Sequence, residues 1–560
     1  MPNNKKNTAF ILNTYEEFDI IKHKLNNNSQ IYIFNNFLNS KNNFSKKSIK
    51  DFYCDNKSYK KHNYIKDFLC KNWFKIDDNS KNYKKKNLIG NILFSRLHSD
   101  FTDKLRVFLS LNKISKLSKK IYFSSNLPSI FYSNCNYFKN CKEFKSHKSI
   151  PKFLSSHVKR SKYRYSPKIH QLSDIANFIQ SIVLLNKVKI HNKTLVLPDP
   201  YYDYLLKKKD DSIFLNNINP YFSYYFKKKT KKNFFFRKKD LIESDIKKNI
   251  LLIIKRNKIK LDKKIINIFC DTIFKNFYEG LNYFNWSYDN YIYLINYYKP
   301  KKIILPNIIS FDYLLINYLA KKKNILTFVC LDGIEAVYNP LNIIFDKDKF
   351  IYDKLICYGE ADYKLNLAHN IKKDQLLLSK LPISPNFQIN KQKEFDFIIM
   401  AYQPRTYNLE SRWDSRYFYL LEVVKILNKM GYEKIGIKIK PDNEDLKKEI
   451  NFLQNLIIKE KYKCNILTGN IVEHIGNTKN IIGGISTCVW ESAYLNIPYY
   501  IYEPKDMGLL QYQIEKSIIF KNKDVCRSIS NLKSKIEKKH FFKPNRKIMF
   551  KGVILNKLKF

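Results

Sequence analysis

The chain has 560 residues, 44% of them hydrophobic, which is enough for two or more packed cores and excludes a disordered or fibrous protein. Its 102 Lys and Arg against 50 Asp and Glu give a net charge of +52, which favours an anionic partner, although Lys, Asn, Ile, Tyr and Phe are enriched together as an AT-rich coding sequence would enrich them. Ten scattered cysteines without a CxxC pair argue against a structural zinc site. The absence of an apolar stretch of about 20 residues argues against a membrane span, so the expected setting is cytoplasmic with reduced thiols.

The N-terminal segment alternates: a strand at Thr8–Asn13, a helix at Tyr15–Leu25 and a strand at Gln30–Phe34, then helical spacing over Asn87–Leu111 and a strand at Lys119–Ser124. Strands and helices in alternation predict an α/β domain with a parallel sheet. From Asn136 the chain turns polar and basic. His157–Lys168 and Phe226–Lys239 mix cations with aromatics, a composition that suits an anionic membrane surface or a polyanion, or simply a solvated insertion. Between them Lys193–Val196 reads as a strand. After Tyr298 the pattern sharpens: a strand at Lys302–Leu305, a helix at Ser310–Lys322, strands at Ile325–Cys330 and Lys354–Tyr358, and a helix at Ala361–His369. The linker Leu381–Lys393 is the domain boundary. The division expected is 1–385, with a basic insertion at about 136–250, then 392–535, then a basic tail at 536–560.

The second unit opens with a strand at Phe395–Ala401 and a loop bearing Arg405, Arg412 and Arg416. A helix follows at Tyr417–Met430, a strand at Lys434–Lys440, a helix at Asp445–Lys459 and a strand at Cys464–Leu467. The stretch Asn480–Pro504 then reads as strand, paired glycines Gly483 and Gly484, a short helix opened by Ser486 and Thr487, and a second strand at Tyr499–Tyr502. Only 12 glycines occur in the whole chain, so an adjacent pair marks a place where geometry or a ligand demands it. Unpaired amide groups at such a turn suit an anion, with Ser486 as N-cap and Glu491 one turn beyond Thr487. An ordinary capped turn of an α/β domain fits the same residues.

Taken together, LTFVCLDGIEA, KLICYGEAD, KIGIKIKPDNE and IIGGISTCVWESAYLNIPYYIYEP resemble bacterial GT-B glycosyltransferases that build surface polysaccharides. The nearest groups are the polysialyltransferases, capsule Kdo-transferases and CDP-glycerol glycerophosphotransferases. The resemblance covers about 300–504 and implies an α/β GT-B fold, two Rossmann-like domains facing across a cleft. It implies transfer of a sugar or sugar-like unit from an activated nucleotide, CMP- or CDP-linked in the nearest groups; that nucleotide is a substrate, and no cofactor is expected. Asp332, beside Gly333, matches the family's cleft carboxylate and would be the catalytic base, with Glu335 as the alternative. Lys440-Pro441 stands where the family has His-Pro, and Lys can neutralise phosphate only as a point charge. Gly483, Gly484, Ser486 and Thr487 match the donor-phosphate motif and Glu491 the ribose contact. Arg405, Arg412 and Arg416 are candidates for phosphate or acceptor contacts.

The partners this implies are a nucleotide-sugar and a glycan or lipid-linked acceptor, with an anionic inner-membrane surface for peripheral attachment. No nucleic acid and no metal are expected. Asp346-Lys347-Asp348 formally matches a DxD metal motif but precedes a strand instead of following one, and His369 and His474 lack ligand spacing. The competing readings are an inactive GT-B scaffold, a sugar-nucleotide epimerase of the same fold, and a basic nucleic-acid-binding protein.

Overall fold

Among the described residues every pair of named strands runs parallel, so consecutive strands need crossovers and both sheet faces need covering. The computed structural model describes residues 7–13, 17–34, 49–53, 56–75, 83–146, 194–196, 212–214, 235–305, 311–330, 352–378, 392–401, 415–439, 446–469, 471–504, 514–515 and 517–549. Among these residues the chain is α/β and builds three parallel sheets.

The first sheet comprises β1 (Asn7–Leu12), β2 (Ser29–Ile33), β3 (Ile49–Asp51), β4 (Ser118–Ser124) and β5 (Cys141–Phe144), in the order β3-β2-β1-β4-β5. Its helices are α1 (Phe18–Ile21), α2 (Asn56–Asn72), α3 (Tyr83–Leu117) and α4 (Ser129–Cys135). Where the spacing predicts one helix over Tyr15–Leu25, α1 gives way after Ile21 to a 3-10 turn at Lys22–Lys24. That region buries only Ile21, too little apolar surface to hold a longer helix.

The second sheet comprises β6 (Thr194–Val196), β7 (Ser212–Phe214), β8 (Lys302–Leu305), β9 (Leu326–Cys330), β10 (Lys354–Cys357) and β11 (Leu376–Leu378), in the order β11-β10-β9-β8-β6-β7. It carries α5 (Glu243–Arg256), α6 (Lys263–Tyr298), α7 (Phe311–Lys322) and α8 (Glu360–Ala368). Both sheets fall inside 1–385, and β6 and β7 lie within the stretch read as a basic insertion. That stretch therefore contributes strands to the second sheet.

The third sheet comprises β12 (Phe395–Met400), β13 (Ile435–Lys438), β14 (Asn465–Leu467), β15 (Thr478–Gly483), β16 (Tyr499–Tyr502) and β17 (Val525–Cys526), in the order β14-β13-β12-β15-β16-β17. This is the doubly wound Rossmann order. Around it lie α9 (Ser415–Lys429), α10 (Leu446–Lys459), α11 (Ile471–Ile475), α12 (Cys488–Tyr494), α13 (Ile529–Glu537) and α14 (Arg546–Met549). The central strands are apolar on both faces because helices cover both: Phe397 and Ile399 pack with Val423 and Leu427 of α9, and Ile398 joins Leu467 on the other side. α13 crosses the expected boundary at 535, and its Leu532 and Ile536 are buried in the same core as Tyr500.

Candidate functional site

In an open parallel sheet, ligands bind beyond the carboxyl ends of the strands, where the winding direction reverses. In the third sheet that point lies between β12 and β15, which pair from Phe395 with Thr478 to Ile399 with Ile482. β12 ends at Met400 and β15 at Gly483, so the segment Gly484–Thr487 leaves the sheet at the switch point.

The turn is fixed from below. Glu503, fully buried just beyond β16, accepts the Ile485 amide at 2.7 Å, and the Tyr499 hydroxyl donates to the Gly484 carbonyl at 2.8 Å. A Cβ on Gly483 would lie 2.3 Å from that hydroxyl and 3.0 Å from Met400 Cβ, so glycine is required by this close approach. Neither Gly483 nor Gly484 takes a left-handed backbone. The first glycine thus serves packing of the turn.

α12 follows. Its N-cap is Thr487, with φ −53° and ψ −29° and no capping bond from its side chain, instead of the expected Ser486. The helical backbone already includes Thr487, and Ser486 stands exposed one residue earlier. The helix ends at Tyr494 because Asn496 adopts φ 55° and the Ile497 amide returns to the Ser492 carbonyl at 2.9 Å.

Glu491 is buried at 6% exposure, in contrast to a surface carboxylate assisted by the helix dipole. Burial raises its carboxyl to about 6, with Cys488 opposing the rise. Its Oε2 has no hydrogen-bond partner among the described residues. Burial, then the nearby Glu491 carboxylate, also push the Cys488 thiol well up, while Ser486 and Lys438 oppose this. Lys438, the last residue of β13, is buried at 3% exposure and donates from Nζ to the Ile439 carbonyl at 2.5 Å. The Lys438 amine and the Glu491 carboxylate, with an oxygen to spare, both act on Cys488, and the exposed Ser486 hydroxyl lies two residues before it, all near the strand ends of the third sheet. Such a set can hold a polar ligand with both anionic and hydroxyl groups.

Of the sequence-derived site residues, the structure gathers Gly483, Gly484, Ser486, Thr487 and Glu491 at this switch point. Asp332, Glu335, Arg405, Arg412, Lys440, Pro441 and Asp346–Asp348 lie outside the described residues, and Arg416 is the second residue of α9. Among the described residues no group of three His, Cys, Asp or Glu is placed to share a metal ion. His369 is buried at the end of α8, and His474 Nε2 lies 2.6 Å from the Thr468 carbonyl.

No protein-family model matches the chain, and no curated relative matches it. Among solved structures it is similar to the UDP-GlcNAc 2-epimerase of Methanocaldococcus jannaschii, at 12% identity over 62% of this chain and 92% of that one, with a TM-score of 0.36. It is similar to the wall teichoic acid polymerase TagF at 11% identity, over 60% of this chain and 80% of that one, with a TM-score of 0.26. A third similarity is to the lipopolysaccharide outer core galactosyltransferase WaaB, at 12% identity, over 48% and 72%, with a TM-score of 0.26. The doubly wound assignment rests on the strand order given above.

Sequence reading missed Lys438, Tyr499 and Glu503. Their signals were present: a charged residue ending each of two apolar strands, IGIK and YYIY followed by Glu503, and a tyrosine opening the second.

The basic-aromatic stretch Phe226–Lys239 is described from Phe235 onward. Phe236 is buried, and its backbone exchanges hydrogen bonds with Asn285 at 2.7 and 2.9 Å. Phe235 stacks on Tyr288 at 3.8 Å between centroids. Both rings are packed against α6, and the exposed residues there are Arg237, Lys238 and Lys239. His157–Lys168 lies outside the described residues.

Proposed function

We propose that the protein is a GT-B glycosyltransferase, inverting and metal-independent, that moves a sugar or sugar-like unit from an activated nucleotide to a surface polysaccharide or lipid-linked glycan at the cytoplasmic face of an anionic membrane. The observation that carries the reading is the buried Glu491 carboxylate, with one oxygen unpartnered among the described residues, beside the Gly484–Thr487 turn at the switch point of the third sheet. A nucleoside diphosphate offers the complementary groups. Its ribose hydroxyls can donate to Glu491, and its phosphates can accept from the Ser486 and Thr487 hydroxyls and from Lys440. Asp332 takes the acceptor proton as the hydroxyl attacks the anomeric carbon, and the nucleotide departs as the leaving group. Arg405, Arg412 and Arg416 are assigned to the leaving phosphates or an anionic acceptor.

The test is a thermal-shift panel of CMP, CDP, UDP, GDP and their sugar conjugates. One nucleotide at a hundredfold excess over its dissociation constant stabilises by about 2.7 kcal/mol. Ser486→Ala and Glu491→Gln should each reduce that shift, while Asp332→Asn should abolish transfer and leave the shift intact. No shift with any nucleotide overturns the donor site; unchanged turnover in Asp332→Asn removes it as base.

A further inference from the structure

The strongest feature outside the nucleotide site is the outer face of α5. Its inner face buries Ile246, Ile250, Ile253 and Ile254, which fixes the helix orientation. Ser244, Lys247, Lys248, Leu251, Leu252 and Lys255 line a shallow groove on the opposite side. Leu251 is 46% exposed, with lysines three and four positions before it and four after it, so each lies within one helical turn. From Lys247 to Lys264 the chain carries eight cations and one acid, Asp262, whose side chain is engaged in capping α6 through the Lys264 amide. Ile242 and Tyr278 are also exposed near the start of the helix, where the Tyr278 hydroxyl donates to the Leu241 carbonyl.

We propose that this face of α5 docks on an anionic lipid bilayer, Lys247, Lys248 and Lys255 contacting headgroup phosphates while Leu251 enters the interface. An exposed leucine alone is ordinary. A leucine ringed by lysines on a helix whose other face is committed to the core is the arrangement an interfacial helix needs. A nucleic acid would use the charges but give the leucine nothing. The aromatic rings at Phe235 and Phe236, a stacking platform in principle, are packed against α6. A second copy of the chain would bring the same charges against each other. The inference deepens the membrane part of the proposed function by naming the docking surface, and the binding itself requires no nucleotide.

The experiment is co-sedimentation of the full chain, without nucleotide, with phosphatidylcholine vesicles containing or lacking phosphatidylglycerol. Binding should require phosphatidylglycerol and weaken with salt. Lys247→Gln with Lys248→Gln should weaken it roughly thirtyfold, about fivefold per lysine, and Leu251→Ser should weaken it further. Neutralising two exposed lysines of the third unit, Lys425→Gln with Lys459→Gln, should leave it unchanged. Equal loss in both double variants overturns the proposal, because the overall charge would then account for binding. So does tighter binding to RNA that the α5 variants abolish, or a dimer that Leu251→Ser dissolves. Failure here leaves the nucleotide shift untouched, and failure of the nucleotide shift leaves vesicle binding untouched.

Discussion

Glu491 is held where water scarcely reaches, and that has a pH signature. Burial raises its carboxyl from 4.5 to about 6, so the folded protein keeps a proton that the unfolded chain has already lost between those values. Stability therefore falls as pH rises from 4.5 through 6, and the full cost, about 2 kcal/mol, is present above that window. Glu491→Gln should relieve it: the variant gains on the wild type between pH 4 and pH 7, read from denaturation midpoints at the two values. An equal difference at both pH values would show that the carboxylate is not strained. Gly483 makes a second prediction of this kind. Gly483→Ala sets a methyl against the Tyr499 hydroxyl and should cost about 1–3 kcal/mol. In a Tyr499→Phe background the cost should fall by about 1 kcal/mol or more, which a double-mutant cycle measures. Strict additivity would mean that Met400, also close to the site, dominates the clash.

The strand ends are closed differently in the first and third sheets. In the first sheet the winding reverses between β1 and β4, and Glu17 fills that point: its oxygens accept the Asn13 amide at 2.7 Å, the Ser124 hydroxyl at 2.5 Å and the Asn126 side-chain amide at 2.9 Å. Glu17→Ala would strand two buried donors, the Asn13 amide and the Ser124 hydroxyl, while the half-buried Asn126 keeps its bond to Ser146, and should cost about 2 kcal/mol or more in urea unfolding. Glu17→Gln, which keeps one oxygen, should recover part of it. A loss below about 1 kcal/mol would mean the strand ends hold without the staple. Elements of this kind were unevenly legible in the sequence. The apolar strands β8, β9, β12 and β16 stood out because both faces are covered and their residues run together. α2 and the 36-residue α6 did not, since Lys and Asn interrupt the apolar period of α2 and α6 is apolar over much of its surface. β5 reads CKEF, with Lys142 and Glu143 exposed at the sheet edge, and β7 has three residues, whereas the equally short β6 was legible at Lys193–Val196. At the site, the glycine pair and Glu491 were legible from composition and spacing. The Tyr499 and Glu503 contacts that fix the turn were not, because they depend on which strand lies next to which.

Among the described residues α6 packs on the units of both the first and the second sheet. Its N-terminal half packs on the first sheet's unit: Phe269 meets Phe101 of α3 at 4.7 Å between centroids, Thr272 accepts from Lys104 at 3.0 Å, and Asp271 accepts from Tyr137 at 2.5 Å. Its C-terminal half serves the second sheet, with the Tyr283 and Tyr291 hydroxyls donating to Asp312 of α7 at 2.8 and 2.6 Å. At 1.5 Å per residue a helix of this length spans about 54 Å, long enough to act on both units at once. One helix with a half in each unit couples their stabilities, whereas β12 to β14 pack chiefly with α9 and α10. Phe269→Ala should therefore cost about 3–5 kcal/mol and lower amide-exchange protection in β1 and β4 and also in β8 and β9, while β12 and β13 keep theirs. Loss confined to β1 and β4 would mean that the two units unfold independently and that α6 connects them without transmitting stability.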